Sequence, residues 1–276
     1  MKSIKIQKNI KGFVKVNGVH LYYEVIGAGK PLMLVAGLGS DSQSWQPVVE
    51  ELSRHFLLIM PDNRGSGRTV PQDVDTSIRQ IADDCIALSR HLGIGSFDLL
   101  GHSMGGFVAL DLAIRYPDAV DRLILEGTAA SDSSRNNALF SGWADTLADD
   151  IDKTEWFRIL FYWIFTERFF ENEKTVEEAL YQAVHYPYSQ SATAFRKQVE
   201  AIANFDCLAY LSGIKAKTLV IRGEEDILFP SDKSALLAQE IPQALLETIK
   251  NAAHSIHMEQ ADAFSKQVVE FLALPS

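Results

Sequence analysis

Only two cysteines, Cys85 and Cys207, occur in the 276 residues, and they lie far apart. A disulfide framework is therefore not what organises this chain, and no cysteine pair has metal-site spacing. Both cysteines fall in helix-like segments, and the expectation is two buried or half-buried thiols in a reducing cytoplasm. Long apolar runs are missing as well. The basic opening Met1–Lys8 has no stretch of signal-peptide length, and nothing later approaches the ~20 apolar residues of a membrane-spanning helix. Positive charge is scarce too, with 26 Lys and Arg against 36 Asp and Glu, a formal net charge of −10 spread along the chain. That balance argues against a nucleic-acid partner, which needs a concentrated basic surface, and makes a long anionic polymer a poor substrate. Internal repeats and low-complexity linkers are absent. What remains is an ordinary globular composition, 47% hydrophobic and 22% charged. The length suffices for one large core, or one core carrying an insertion.

Apolar patterning supplies the architecture. Phe13 to Ile26 alternates as a strand pair with Asn17-Gly18 as its turn. Leu32–Ala36 and Phe56–Met60 are continuous apolar runs, as expected of parallel strands buried on both faces. A helix-like stretch from about Trp45 to Arg54 separates them. Ser77 to Leu92 has a helical period, Phe97–Leu100 reads as a short strand, Met104 to Arg115 as a helix, and Arg122–Glu126 as the next strand. This alternation predicts an α/β protein with a mostly parallel, doubly wound sheet. The rhythm breaks after Thr128. From about Ser131 to Phe205 the patterns are helical and rich in aromatics, among them Phe140, Trp143, Trp156, Phe157, Phe161 and Phe169. Strands return at Thr218–Arg222 and Leu245–Ile249, and a terminal helix runs from roughly Ala261 to Leu272. The expectation is a core of residues 1–130 and 206–276, with residues 131–205 a helical cap inserted after the sixth strand.

The strand at Phe97 runs directly into Gly101-His102-Ser103-Met104-Gly105. A Gly-x-Ser-x-Gly pattern is weak alone. Between a buried strand and a helix, however, it occupies the place where a nucleophilic serine is lifted above the sheet. Flanking glycines let the backbone turn sharply, and the helix N-terminus favours negative charge there. A serine needs a base. His254 and His257 both follow the last strand; His254 comes sooner, among small residues that leave room for the ring, and is preferred. His257 is expected to pack or cap the terminal helix. The orienting acid should follow another strand. Asp226 is preferred over Glu224 and Glu225, which are expected to be solvated, and over Glu126, an alternative acid position at a strand end. The backbone N–H groups of Leu38 and Met104 are the expected oxyanion donors.

Together these residues resemble the α/β-hydrolase superfamily, and within it the small cap-bearing esterase and lactonase branch. The likeness covers nearly the whole chain: Gly37-Leu38-Gly39 followed by Trp45, Asp62–Gly67, Gly101–Gly106, Arg222–Asp226, and His254 with Glu259. The resemblance implies a Ser103–Asp226–His254 triad, an oxyanion hole at Leu38 and Met104, and a structural role for the Asp62–Gly67 turn. Three positions depart from the family pattern. Ala36 stands where histidine usually precedes the glycine, Ala253 where glycine is common before the base, and Ala261 where proline often follows the acidic residue. None removes a reacting group.

A serine at the turn argues against haloalkane dehalogenases and epoxide hydrolases, whose relatives carry aspartate there. Attack on an acyl carbon is expected, with no cofactor and no metal. Carbon–carbon bond hydrolases of this type often have Asn before the serine; His102 here favours small esters or lactones, and the pattern is similar to 3-oxoadipate enol-lactonases. The alternatives are a carbon–carbon hydrolase, an acyltransferase or perhydrolase with the same triad, and a non-catalytic ligand receptor. The expected partner is a small acyl substrate under an aromatic-rich roof, for a chain that is a monomer or homodimer.

Overall fold

The computed structural model describes residues 9–149 and 151–274; the basic opening segment 1–8 lies outside them. Strands β1 (Ile10–Val16) and β2 (Val19–Gly27) pair antiparallel. Asn17 and Gly18 between them take φ values of 41° and 87°, both positive as a tight two-residue hairpin turn requires. The strands that follow are β3 (Lys30–Val35), β4 (Phe56–Pro61), β5 (Phe97–His102), β6 (Val120–Glu126), β7 (Lys217–Gly223) and β8 (Leu245–Ile249). They form one sheet in the order β1-β2-β4-β3-β5-β6-β7-β8, parallel from β4 through β8.

The continuous apolar runs are explained by burial on both sheet faces. Met33, Val35, Ile59 and Leu99 point to one side. There they pack with helices α1's successors, α2 (Ile78–His91) and α3 (Met104–Arg115), α1 itself being Gln46–Leu52. Leu32, Leu34, Leu58 and Leu100 point to the other side and meet Val48 and Leu52 of α1. Alternate residues of one strand thus feed two separate cores, the consequence of a two-residue side-chain period. The Ser77 hydroxyl caps α2 by accepting from the Gln80 N–H at 3.2 Å.

Between β6 and β7 the chain forms α4 (Ser134–Ala148), α5 (Lys153–Ile164), α6 (Glu167–Phe170), α7 (Glu173–Val184) and α8 (Ala192–Ala203). These helices stand over the C-terminal edge of the sheet. Phe161, Val176 and Leu180 anchor a small apolar cluster of their own, joined by Phe165, Phe169 and Phe170. Phe140 and Trp143 instead join the main core. After β7 come α9 (Ser231–Glu240), α10 (Ile256–Glu259) and α11 (Ala261–Ala273). Phe264 and Val268 of α11 close the second core beside α1. Both cysteines are buried and free. Cys85 lies in α2, but Cys207 is not helical: it sits in the link before a short 3-10 turn, where its N–H donates to the Ala130 carbonyl. No described helix is long and apolar enough to cross a membrane.

Candidate active site

The turn from β5 into α3 is tight enough that a side chain is excluded at both of its glycines. A Cβ on Gly101 would lie 2.1 Å from the Gly105 carbonyl oxygen, and one on Gly105 would lie 2.0 Å from the Val35 carbonyl oxygen. These glycines serve close backbone approach. The positive φ falls on the serine itself: Ser103 has φ 54° and ψ −118°, a conformation that costs a non-glycine residue roughly 1–3 kcal/mol. Packing holds it there. The Ser103 N–H donates to the Glu126 carbonyl at 2.9 Å, and the Ser103 carbonyl accepts from Gly106 N–H and the Thr128 hydroxyl. Met104 is the first residue of α3, and Leu38 lies in the turn after β3. That turn runs against the elbow, since a Cβ on Gly37 would come within 3.1 Å of the Ser103 Cβ.

Asp226 and His254 meet from the loops after β7 and β8. His254 Nδ1 lies 3.1 Å from Asp226 Oδ2, with both side chains almost wholly buried. The other carboxylate oxygen accepts from the backbone N–H groups of Leu228 (2.8 Å) and Phe229 (2.9 Å), so the acid is fixed before it orients anything. The Phe229 ring stacks on the imidazole, centroids 5.5 Å apart. Glu224 and Glu225 are exposed, as expected of solvated charges.

His257 has another partner. Its Nδ1 lies 2.8 Å from Glu126 Oε1, which also accepts the His257 backbone N–H at 3.0 Å. Glu126 is therefore neither a strand-end charge in solvent nor an acid for His254; it is fully buried against the second histidine. His102 stands between the two, its ring 4.8 Å from each. Its Nε2 is 3.1 Å from the His254 carbonyl oxygen and donates to it. Burial, reinforced by His257 and His254, holds the His102 pKa well below the usual histidine range, so this imidazole is neutral.

The Asp62–Gly67 loop is scaffolding. Asp62 Oδ2 accepts from the Arg68 N–H and Nε, both at 2.8 Å, and Oδ1 accepts from Ser42 N–H at 3.0 Å. Arg64 pairs with Asp84 at 2.7 Å. This braces the segment after Leu38 against the sheet. Asp41 in that segment accepts the Tyr186 hydroxyl at 2.6 Å, and burial together with the Asp62 carboxylate raises its pKa.

Beside that segment, under the inserted helices, lies a cavity of about 360 Å³. Ser40 and Asp41 form one wall, and Trp156, Phe157, Tyr186 and Phe195 form much of the other. Ser103, Asp226 and His254 do not line it. Gly39, the chain neighbour of Leu38, and Met258, the chain neighbour of His257, are among its lining residues.

Known proteins resemble this one along nearly the full chain. The family model described as the alpha/beta hydrolase fold matches residues 30–261. The chain belongs to the α/β-hydrolase family. Among its relatives, the 2-hydroxymuconate semialdehyde hydrolase of Pseudomonas sp. (strain CF600) is 31% identical over 257 residues, 90% of this chain and 88% of that protein. A protein of Agrobacterium fabrum, provisionally named carbamate hydrolase RutD, is 29% identical over 260 residues, 91% of this chain and 98% of its own. The crystal structure of an enol-lactonase from Burkholderia xenovorans LB400 superposes with a TM-score of 0.85 at 28% identity, covering 95% of this chain and all of that one. Similarity to an enol-lactonase agrees with the likeness read from the motifs.

Three contacts in this α/β-hydrolase site were not legible in the sequence: the Glu126–His257 pair, the His102 bond to the His254 carbonyl, and the Phe229 stack. One signal did exist. A carboxylate directly following Leu123-Ile124-Leu125 in the buried part of a strand needs a buried partner.

Proposed function

We propose that this α/β-hydrolase cleaves a small carboxylic ester or lactone through an acyl-enzyme on Ser103. The observation that carries the reading is the His254–Asp226 pair, anchored by two backbone donors, with the His254 carbonyl bonded to His102, the residue before a serine held at positive φ on a strand–helix turn. Ser103 Oγ attacks the acyl carbon while His254 Nε2 accepts its proton, and Asp226 keeps the Nδ1 proton in place and stabilises the imidazolium. The Leu38 and Met104 N–H groups receive the oxyanion, helped by the N-terminus of α3. His254 then protonates the leaving group, and later activates the water that releases the acid.

Residues 131–205 act as the cap, and the cavity beneath it accommodates the less polar arm of the substrate. Of the cap aromatics singled out in the sequence, Trp156 and Phe157 line this space; Phe161 and Phe169 make the cap's own core. The two buried, unpaired thiols suit a reducing compartment such as the cytoplasm.

The test is a screen of short esters, lactones and thioesters with the Ser103→Ala protein as blank. It includes 2-hydroxymuconate semialdehyde, because one relative is named for hydrolysing it. Turnover of p-nitrophenyl acetate or butyrate that survives in the Ser103→Ala protein would refute the mechanism. Product partition between water and an added alcohol or peroxide separates a hydrolase from an acyltransferase or perhydrolase.

A further inference from the structure

Glu259 follows His254 by five residues and takes no part in the chemistry above. Its carboxylate nevertheless ties Thr166, 93 residues earlier in the chain, to the segment that carries His254. Oε1 accepts both the backbone N–H (2.8 Å) and the hydroxyl (2.7 Å) of Thr166, which opens α6 in the inserted helices. Oε2 accepts the N–H of Ala253 at 2.8 Å, the residue immediately before His254. A parallel tie runs one residue after the base, where the Ser255 N–H donates to the Ile164 carbonyl at 3.1 Å. The backbone on both sides of His254 is thus fastened to the α5–α6 corner of the cap. Thr166 and Ala253 are buried, and Glu259 is half-buried between them. The Thr166 hydroxyl does not cap its own helix; Glu259 takes the orphan N–H instead.

The side chains around His254 hold its ring: Asp226 at Nδ1, Phe229 on one face and His102 nearby. None of them fixes the loop relative to the cap. We propose that Glu259 is a positioning residue that locks the base-bearing loop to the cap, so that base and substrate roof keep one relative geometry. This rests on the acyl-transfer reading with His254 as base. A displacement of about 1 Å in a reacting group can cost about 100-fold in rate, so the strap is felt in turnover rather than in binding.

Glu259→Gln is the informative substitution. Both arms of the strap are donors, so whichever way the amide turns, its NH₂ faces an N–H or O–H and one arm is lost. The expected result is a kcat for p-nitrophenyl butyrate lower by about 10–100-fold, with KM changed little, and an equal slowing of Ser103 labelling by a fluorophosphonate. Thr166→Val removes only the hydroxyl arm and should slow both by a smaller factor. The double variant should be no slower than Glu259→Gln alone, because both changes cut one strap. The proposal is overturned if Glu259→Gln lowers only the melting temperature, or if the two effects multiply. If Glu259→Gln does not fold, Thr166→Val with wild-type kcat and labelling overturns it. A wild type that is labelled but turns over no ester or lactone defeats the functional reading alone, and the labelling rates still decide the role of Glu259. A wild type that is not labelled defeats both.

Discussion

His257 Nδ1 sits 2.8 Å from Glu126 Oε1 with neither side chain exposed, while His254, three residues earlier, faces Asp226. Two histidine–carboxylate pairs therefore lie side by side, and they predict opposite phenotypes. His257→Ala strands a buried carboxylate, so it should destabilise by about 3–5 kcal/mol while the folded fraction keeps its turnover within an order of magnitude. His254→Ala should fold normally and lose nearly all activity. Urea unfolding and ester assays on both variants check this; the reverse pattern would move the base to His257.

Ser103→Ala should lower esterase activity by about four to six orders of magnitude if the three residues act as a unit. The same position stores backbone strain, which alanine retains and glycine relieves. Ser103→Gly should therefore unfold later than Ser103→Ala by about 1 kcal/mol, readable as a melting difference of about 2 °C. Equal melting points would show that the elbow is not strained.

Asp226→Asn keeps the shape of the acid but presents an amide that can settle the imidazole in the wrong tautomer. A loss of about 10⁴-fold in kcat is expected, with the fold retained. Activity near wild type would mean that another carboxylate orients His254.

Asp132, at the entrance to the inserted helices, has its carboxyl pushed up to about 6 by burial, against the opposing pull of the Ser133 N–H, Asn136 and Lys233. Between its unfolded value of 3.8 and about 6 the folded state holds more protons than the unfolded one. Stability must fall as pH rises through that window. Asp132→Asn removes the penalty, so the variant should be more stable than wild type at pH 7, by roughly 1–2 kcal/mol after solvent screening, and should match it near pH 4. Chemical denaturation at the two pH values measures the difference, and a constant gap would contradict the assignment.

His102, Glu126 and His257 bring ligand-type atoms within 4.8 Å of one another. One nitrogen of each ring is already committed, His257 Nδ1 to Glu126 and His102 Nε2 to the His254 carbonyl. Prolonged treatment with a chelator should leave esterase activity and melting temperature unchanged. A drop that added zinc restores would make this cluster a metal site.

Much of this protein is decided by local sequence. The two-residue period of Leu32–Val35 sends its side chains to two cores, and Ser77 marks the start of α2 by a contact within one turn. The elbow is legible because Gly101, Ser103 and Gly105 lie within five residues of a buried strand and a helix start. Chain order likewise places Asp226 and His254 after the last two strands. The pairing of acids with bases is not local. Glu126 and His257 are 131 residues apart and meet only because β6 lies between β5 and β7. His257 and His254 share a chain neighbourhood that cannot tell them apart; packing against Trp45 buries one, and the β7 loop receives the other. Which aromatics roof the cavity depends on how α5, α7 and α8 cross. The Glu259–Thr166 contact likewise needs the start of α6 to be carried over to the segment after β8. Propensity and period act over a few residues, whereas these contacts come from the way whole elements bury their surfaces, and only the assembled tertiary structure determines that.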